Sequence, residues 1–431
     1  MCGITGWVHL TPDRPSDLPT DELVLRSMCD RIRHRGPDSD GMFHAAGVGL
    51  GIRRLAVIDL VTGEQPFYDE SRSTVAVLNG EIYNFRELRD DLTKRGHKFI
   101  SSADTEVLPH LYEEYGLELV DKLNGMFAFA IWDAKRRRLF IARDPLGEKP
   151  LYYGKFNDKL IFGSEIKALL AHRDVAVAVN NEALKQYLTF DCIPAPMSIF
   201  EGICKLPAGH FLTVEQGTVS VKRYWDLDHR KRKPVPSIDE AAEELDKLLH
   251  DSTRLRMASD VPIGVFLSGG VDSSVIAAYA TRHAHGRLKT FCVGFDDSEY
   301  NESSPAAVVA DHLGTEHHEA RLSASAAAGL VPEIANWLDE PLADPSIVPT
   351  FYLSRFTRSM VTVALGGDGS DELFGGYPSY YAHKLIERYA TLPQFIKKRI
   401  VQSLIRMVPH NDNEAGLGFI GRRFLRAVEI Q

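Results

Sequence analysis

Residues 262–267 (PIGVFL) form a short apolar run that passes without a break into Ser268-Gly269-Gly270-Val271-Asp272-Ser273-Ser274, and a helical pattern follows over 273–283. This junction constrains the fold more than any other feature of the chain. A strand, a glycine pair and a helix start gather backbone N–H groups and hydroxyls in one place, with the positive end of the helix behind them. Glycine lets the backbone come close to whatever those groups hold, and a phosphate suits them best. No Walker lysine is present, so this is not a Walker A loop. A capped helix after a glycine turn would account for SGG alone, but poorly for the full heptapeptide. Around the junction, helix 240–256, strand 262–267, helix 273–283, strand 288–295, helix 304–313 and strand 360–365 alternate. That alternation predicts a parallel α/β sheet with ligands beyond the carboxyl ends of its strands.

The first half has another texture. Short β-branched or aromatic runs at 48–60, 74–78, 127–131, 139–143 and 160–164 read as strands, and longer patterns at 21–33, 85–95 and 106–115 as helices. Residues 135–138 read as an exposed hairpin turn. The stretch 226–236 (DLDHRKRKPVP) has charge and two prolines but no hydrophobic period, which suits a linker. At 431 residues there is room for two domains with cores of their own. A net charge of -9 argues against a nucleic-acid partner. No stretch is apolar enough to span a membrane, and no apolar signal region follows Met1. Cys29, Cys192, Cys204 and Cys292 show no metal or redox spacing and read as small buried hydrophobes, so a cytoplasmic location is expected.

Cys2 stands apart. With Met1 removed it would carry the free α-amine, a base beside a thiol. Acyl transfer from an amide also needs an oxyanion hole and anchors for a carboxylate and an ammonium group. Asn79-Gly80, at the end of strand 74–78, offers the first. Arg54 offers a planar fork for the second, and Glu81 with Asp104 the third. Singly, a turn Asn-Gly, a strand-edge arginine or an N-cap aspartate would explain each. A second acidic constellation, Asp368, Asp371 and Glu372 among glycines, follows strand 360–365 and invites a cation.

Several blocks occur in order: Met-Cys-Gly-Ile-Thr-Gly, Arg33-His34-Arg35-Gly36-Pro37-Asp38, Arg54-Leu55, Leu78-Asn79-Gly80-Glu81-Ile82-Tyr83-Asn84, Asp104-Thr105-Glu106 and Arg143-Asp144-Pro145-Leu146-Gly147. Together they resemble the class II glutamine amidotransferase domain, an α+β Ntn-hydrolase sandwich, in the form found in asparagine synthetases. The SGGVDSS loop is similar to that of the α/β ATP pyrophosphatases. The block from Gly367 to Tyr377 resembles the asparagine synthetase version, with Gly366 where that family has serine. The resemblance implies a glutaminase domain over 2–215, a linker over 216–236 and a synthetase domain over 237–431. It further implies Cys2 as nucleophile, Asn79 and Gly80 as the oxyanion hole, and Arg54, the Val57 backbone, Glu81 and Asp104 as glutamine ligands. ATP would meet Leu267, Ser268, Gly269, Gly270, Asp272, Ser273, Val293 and Gly367. Asp272 and Asp371 would hold Mg2+, and Asp368 would act beside an acyl-adenylate. Asp339-Glu340-Pro341 and Asp344-Pro345-Ser346 match a block near the acceptor. His317-His318 suggests a metal pair, but a packed strand end suits it better.

The implied reaction joins ammonia from glutamine to aspartate activated by ATP. Another acceptor carboxylate, on a cell-surface sugar or peptide, stays open, as does a glutaminase with a regulatory nucleotide-binding half. A homodimer is also left open. Members of the family continue with further helices carrying a phosphate-neutralising lysine, whereas this sequence stops at Phe424-Leu425-Arg426-Ala427-Val428-Glu429-Ile430-Gln431, within an amphipathic pattern. The expectation is an incomplete synthetase domain with weak amide synthesis by itself and intact glutaminase chemistry, or a site completed by a partner chain.

Overall fold

In the computed structural model, which describes residues 2–11, 18–228, 230, 236–297, 301–391 and 393, the short strands of the first half form two antiparallel sheets. The first has the order Ile203–Lys205, Tyr152–Phe156, Lys159–Gly163, Gly3–His9, Val48–Arg54, Ser39–Ala45. Gly3–His9 is therefore an interior strand, and Cys2 sits directly before it. The second has the order Thr218–Arg223, His210–Glu215, Arg138–Arg143, Gly125–Asp133, Thr74–Ile82, Phe67–Tyr68.

Strand alternation sorts the side chains between layers. Ile4, Leu50, Ile52, Val75, Val77, Ala128, Ile141 and Phe162 fill the space between the sheets. The opposite faces bury Leu78, Ile82, Phe127 and Phe140 against helices Phe85–Lys94 and Val107–Tyr115. On the first sheet's outer side, Trp7 and Ile161 meet Met28 of helix Leu18–Arg31. The result is a helix–sheet–sheet–helix sandwich. Strand Thr218–Arg223 occupies part of the stretch read as linker, while the linker's residues 231–235 lie outside the described residues.

The alternating half folds into a parallel sheet in the order Glu316–Leu322, Lys289–Phe295, Ile263–Phe266, Val363–Leu365. Ala277, Ala280, Ala306 and Ala310 let helices Val271–His283 and Ser303–Leu313 pack against Val265, Leu267 and Cys292. Helices Ala324–Trp337 and Ile347–Arg358, not foreseen from the sequence, contribute Leu330, Ile334, Phe351 and Tyr352 to a core with Val293 and Leu322.

Among the boundaries that differ from expectation, three have a clear local cause. The strand beginning at Val48 ends at Arg54, because the Arg54 guanidinium folds back onto the carbonyls of Ile58 (3.0 Å) and Asp59 (2.7 Å) and closes a loop. Asp59 sits in the left-handed region of that loop at φ 56°. Asn79 and Gly80 do not end their strand: it runs to Ile82, with Asn79 paired to Ala128 and Gly80 to Phe127. The last parallel strand shrinks to Val363–Leu365, since Met360 and Val361 donate back to Thr357 O and finish the preceding helix.

Packing divides the chain after Leu365. The sandwich and the parallel sheet belong to the unit before this point. The unit that begins at Gly366 contains helices Ser370–Phe374 and Pro378–Ala390. The chain end at 424–431 lies outside the described residues. No helix among the described residues is long and apolar enough to cross a membrane.

Candidate active sites

The start of the chain is held from two sides. The Arg35 Nε donates to the Cys2 carbonyl (2.8 Å), and its Nη1 pairs with Glu165 at 2.8 Å. Burial alone would raise the Glu165 carboxyl, but bonds from His34 and Arg35 outweigh it and hold it at about 2. The Cys2 Sγ accepts from Leu55 N–H at 3.4 Å and can donate to Leu55 O at 3.6 Å. Asp38 Oδ2 in turn accepts Ala56 N–H at 2.9 Å. Arg33-His34-Arg35-Gly36-Pro37-Asp38, a block with no assigned role in the sequence, thus positions both the thiol and the loop facing it. Burial pushes the Cys2 thiol above its ordinary value, opposed by the bond to Leu55 and reinforced by the charges of Glu81 and Asp104. A thiol in that state needs a base when it attacks.

Cys2, Arg54, Val57, Gly80, Glu81 and Asp104 line one pocket, together with Leu55 and Thr105. Asn79 is not among its lining residues. It is fully buried, with Nδ2 3.4 Å from Ser164 Oγ and Oδ1 without a hydrogen-bond partner. Ser164 Oγ also accepts Ile4 N–H at 3.0 Å, so Asn79 is tied to the strand that follows Cys2. Gly80 has φ 150°, and a Cβ there would strike the Met126 carbonyl, so only glycine brings this N–H into place.

Glu81 and Asp104 form an acidic pair. Asp104 is buried and accepts Ile82 N–H at 2.8 Å rather than capping a helix. Burial, then the charge of Asp104, lifts Glu81 well above the usual carboxylate range, and burial also raises Asp104. Such a pair keeps a proton until a cation replaces it. Lys149, buried nearby and lowered chiefly by desolvation, is a neighbour that the sequence did not single out.

The loop after Arg54 also meets the parallel-sheet half. Asp260 N–H donates to Val57 O (2.9 Å), and Asp59 N–H donates to Asp260 Oδ2 (2.7 Å). The Val57 carbonyl therefore already has one partner. Three residues after Asp260 begins strand Ile263–Phe266. Nearby, Arg256 lies 4.5 Å over the Tyr83 ring. Asp339 pairs with Lys167 at 3.3 Å, and Glu340 pairs with Lys205, so the block expected near an acceptor is engaged by lysines of the sandwich.

At the strand–helix junction, Ser268 and Ser273 share a hydroxyl contact of 2.9 Å, and Gly270 N–H donates to Ser268 Oγ at 3.2 Å. Gly269 has φ 83°, and a Cβ there would meet the backbone of Pro305 and Ala306 at 2.5 Å. Helix Val271–His283 has no side-chain cap, so its first N–H groups face the loop. Asp272 is exposed in its first turn. Leu267 N–H donates to Phe291 O at 2.8 Å, and Val293 lies two residues further along that neighbouring strand. His317 is a packed strand residue: Nδ1 is 2.9 Å from Thr290 Oγ1 and Nε2 is 3.4 Å from Cys292 Sγ.

In the second unit, Ser370 Oγ donates to Gly367 O at 2.9 Å, and Gly376 N–H to Asp371 O at 3.0 Å. Asp368 is exposed just before the short helix Ser370–Phe374, which carries Asp371 in its first turn.

Residues 1–225 match the family described as glutamine amidotransferase domain, and residues 244–424 that described as asparagine synthase. Asparagine synthetase [glutamine-hydrolyzing] 1 of Bacillus subtilis is 39% identical over 403 residues, covering 93% of this chain and 63% of that protein. Putative asparagine synthetase [glutamine-hydrolyzing] 2 of Methanocaldococcus jannaschii is 34% identical over 419 residues, covering 92% of this chain and 79% of that protein. Asparagine synthetase [glutamine-hydrolyzing] of Zea mays is 34% identical over 381 residues, covering 85% and 59%. The chain thus spans about 63% of the length of its Bacillus relative.

Proposed function

Since the chain belongs to the glutamine-hydrolysing asparagine synthetase family, we propose that it releases ammonia from glutamine at Cys2 and uses it, with ATP, to convert aspartate to asparagine. The observation that carries this reading is the single pocket that brings together Cys2, Arg54, Gly80, Glu81 and Asp104.

In the first half-reaction, Arg54 takes the α-carboxylate of glutamine, and Glu81 with Asp104 takes its α-ammonium group. The Cys2 sulfur attacks the side-chain amide carbon, and the thiol proton passes to the free α-amine of Cys2. The Gly80 N–H and the Asn79 amide, turned from Ser164, stabilise the oxyanion. The C–N bond breaks, the proton leaves with ammonia, and water hydrolyses the thioester to glutamate.

In the second, an aspartate carboxylate oxygen attacks the α-phosphorus of ATP and pyrophosphate departs. Ser268, Gly269, Gly270 and Ser273 cradle the phosphates, while the backbones of Leu267 and Val293 flank adenine. Ammonia then displaces AMP, with Asp368 as the proposed orienting group or base. Asp272 and Asp371 each carry a carboxylate, the hard oxygen donor that would suit Mg2+. Bound there, Mg2+ would neutralise phosphate charge.

The test is glutamine-dependent AMP release, with and without aspartate. Aspartate-dependent AMP supports the proposal. AMP formed only with another carboxylate would move the acceptor, and glutamate release without any AMP would leave a glutaminase.

A further inference from the structure

Away from both sites, Glu70, His97, His110 and Glu113 bring one nitrogen or carboxylate oxygen each to within 4.8 Å of the others. Helix Val107–Tyr115 supplies His110 and Glu113, three residues apart and so on one face. Glu70 follows strand Phe67–Tyr68, and His97 follows helix Phe85–Lys94.

The two imidazoles are arranged unusually for a structural polar cluster. His110 is 1% exposed, and neither ring nitrogen has a hydrogen-bond partner. Its Nδ1 lies 3.2 Å from Glu70 Oε2, but not in hydrogen-bond geometry. A buried polar group left unserved costs about 1–3 kcal/mol. His97 is oriented by its far nitrogen: Nε2 is 3.3 Å from Glu114 Oε1, and Glu114 is itself held by Arg95 at 3.1 Å. With its N–H on Glu114, the Nδ1 lone pair of His97 faces Glu70 at 3.5 Å and Glu113 at 3.9 Å. An imidazole whose outer N–H is fixed by a carboxylate is the arrangement that metal-ligating histidines use.

Two imidazoles and two carboxylates converge here, and the carboxylates bring negative charge to the cluster. Lys98 N–H, donating to Glu70 Oε1 at 2.9 Å, offsets only part of that charge. Oxygen-only cations have no use for imidazole, whereas zinc-type ions take nitrogen and carboxylate oxygen together.

We propose that Glu70, His97, His110 and Glu113 form a binding site for a divalent transition ion of the Zn2+ class, clamping the loop after Phe67–Tyr68 to helix Val107–Tyr115. Bonds of about 2.0–2.2 Å require the four side chains to close inward by rotamer adjustment. The full chain, stripped with chelator, is titrated with Zn2+ by calorimetry and with Co2+ by visible absorption. One ion per chain and a tetrahedral Co2+ band are expected, with a rise in Tm. Glu113 is exposed, so Glu113→Gln should fold normally; it should weaken binding at least about 10-fold, and His97→Ala about 100-fold, on the scale of ligand-shell losses. Glutaminase activity should stay unchanged in both. Sub-stoichiometric binding, equal affinity in the variants, or His97 and His110 resonances that titrate with pH yet ignore Zn2+ would each overturn the proposal.

Discussion

The role proposed for Glu81 sets its carboxyl against the fold that holds it. Its protonation is favoured by burial and by the charge of Asp104. A carboxyl whose folded pKa is raised contributes stability below its unfolded pKa, and that stability is lost as pH rises towards the folded value. Ammonium binding needs the opposite form. The KM for glutamine should therefore fall as pH rises above the usual carboxylate range, while Tm falls with it. Glu81→Gln should raise Tm near neutral pH and flatten the KM profile. It should cost roughly 1.5–3 kcal/mol of glutamine binding, the range for a charged hydrogen bond. An unchanged pH profile in the variant would remove Glu81 from the ammonium site. The candidates that share the pocket were legible in the sequence because cysteine, arginine and acids carry their chemistry in their type. Arg35 and Asp38 were visible as a block without a role, since their work is to hold backbone atoms of Cys2 and Ala56.

Among the elements, strands and helices with a clear period were found from the sequence, and the misplaced limits have local causes. The apolar pattern of 48–60 runs on past Arg54, but the guanidinium closes the loop over the carbonyls of Ile58 and Asp59. Asn79-Gly80 looks like a turn pair, yet the pairing with Gly125–Asp133 carries both within the strand. Asp260 gave no signal at all, because an acid before a strand is unremarkable until its partners are known. It joins the loop facing Cys2 to the strand leading into Ser268. Asp260→Ala strips the acceptor from Asp59 N–H, a buried donor, and should cost about 1–3 kcal/mol. It should also raise the KM for glutamine while leaving ATP affinity within about 2-fold; loss of stability without any change in that KM would reduce Asp260 to a structural tie. Such a result is read by glutaminase kinetics beside thermal unfolding.

Across the whole molecule, the two proposed half-reactions fall in separate halves of the sequence, which fold as an antiparallel sandwich and a parallel sheet. The switch from short strands to alternating elements marked that division, because each texture follows from a different way of burying a sheet. Helices Ala324–Trp337 and Ile347–Arg358 were missed although Leu330 and Ile334 of the first and Ile347, Val348, Phe351 and Tyr352 of the second recur at helical spacing and meet in one core; Pro332 inside the first works against a helical reading. Separate halves predict separable variants. Asp371→Asn should weaken Mg2+-dependent ATP binding about 10-fold or more, since it removes a proposed Mg2+ ligand, and leave glutamate release intact. Equal nucleotide affinity across a Mg2+ titration would contradict that role.

Everything proposed for the first half-reaction depends on Cys2 acting as the nucleophile for glutamine. The most direct test of that role is glutamate release from glutamine by the purified chain and by Cys2→Ala, with circular dichroism to show that both are folded. Steady release by the parent chain is expected, with a loss of at least about 10³-fold in the variant, the scale of removing a covalent nucleophile. Release by a folded Cys2→Ala protein at the parent rate would contradict it.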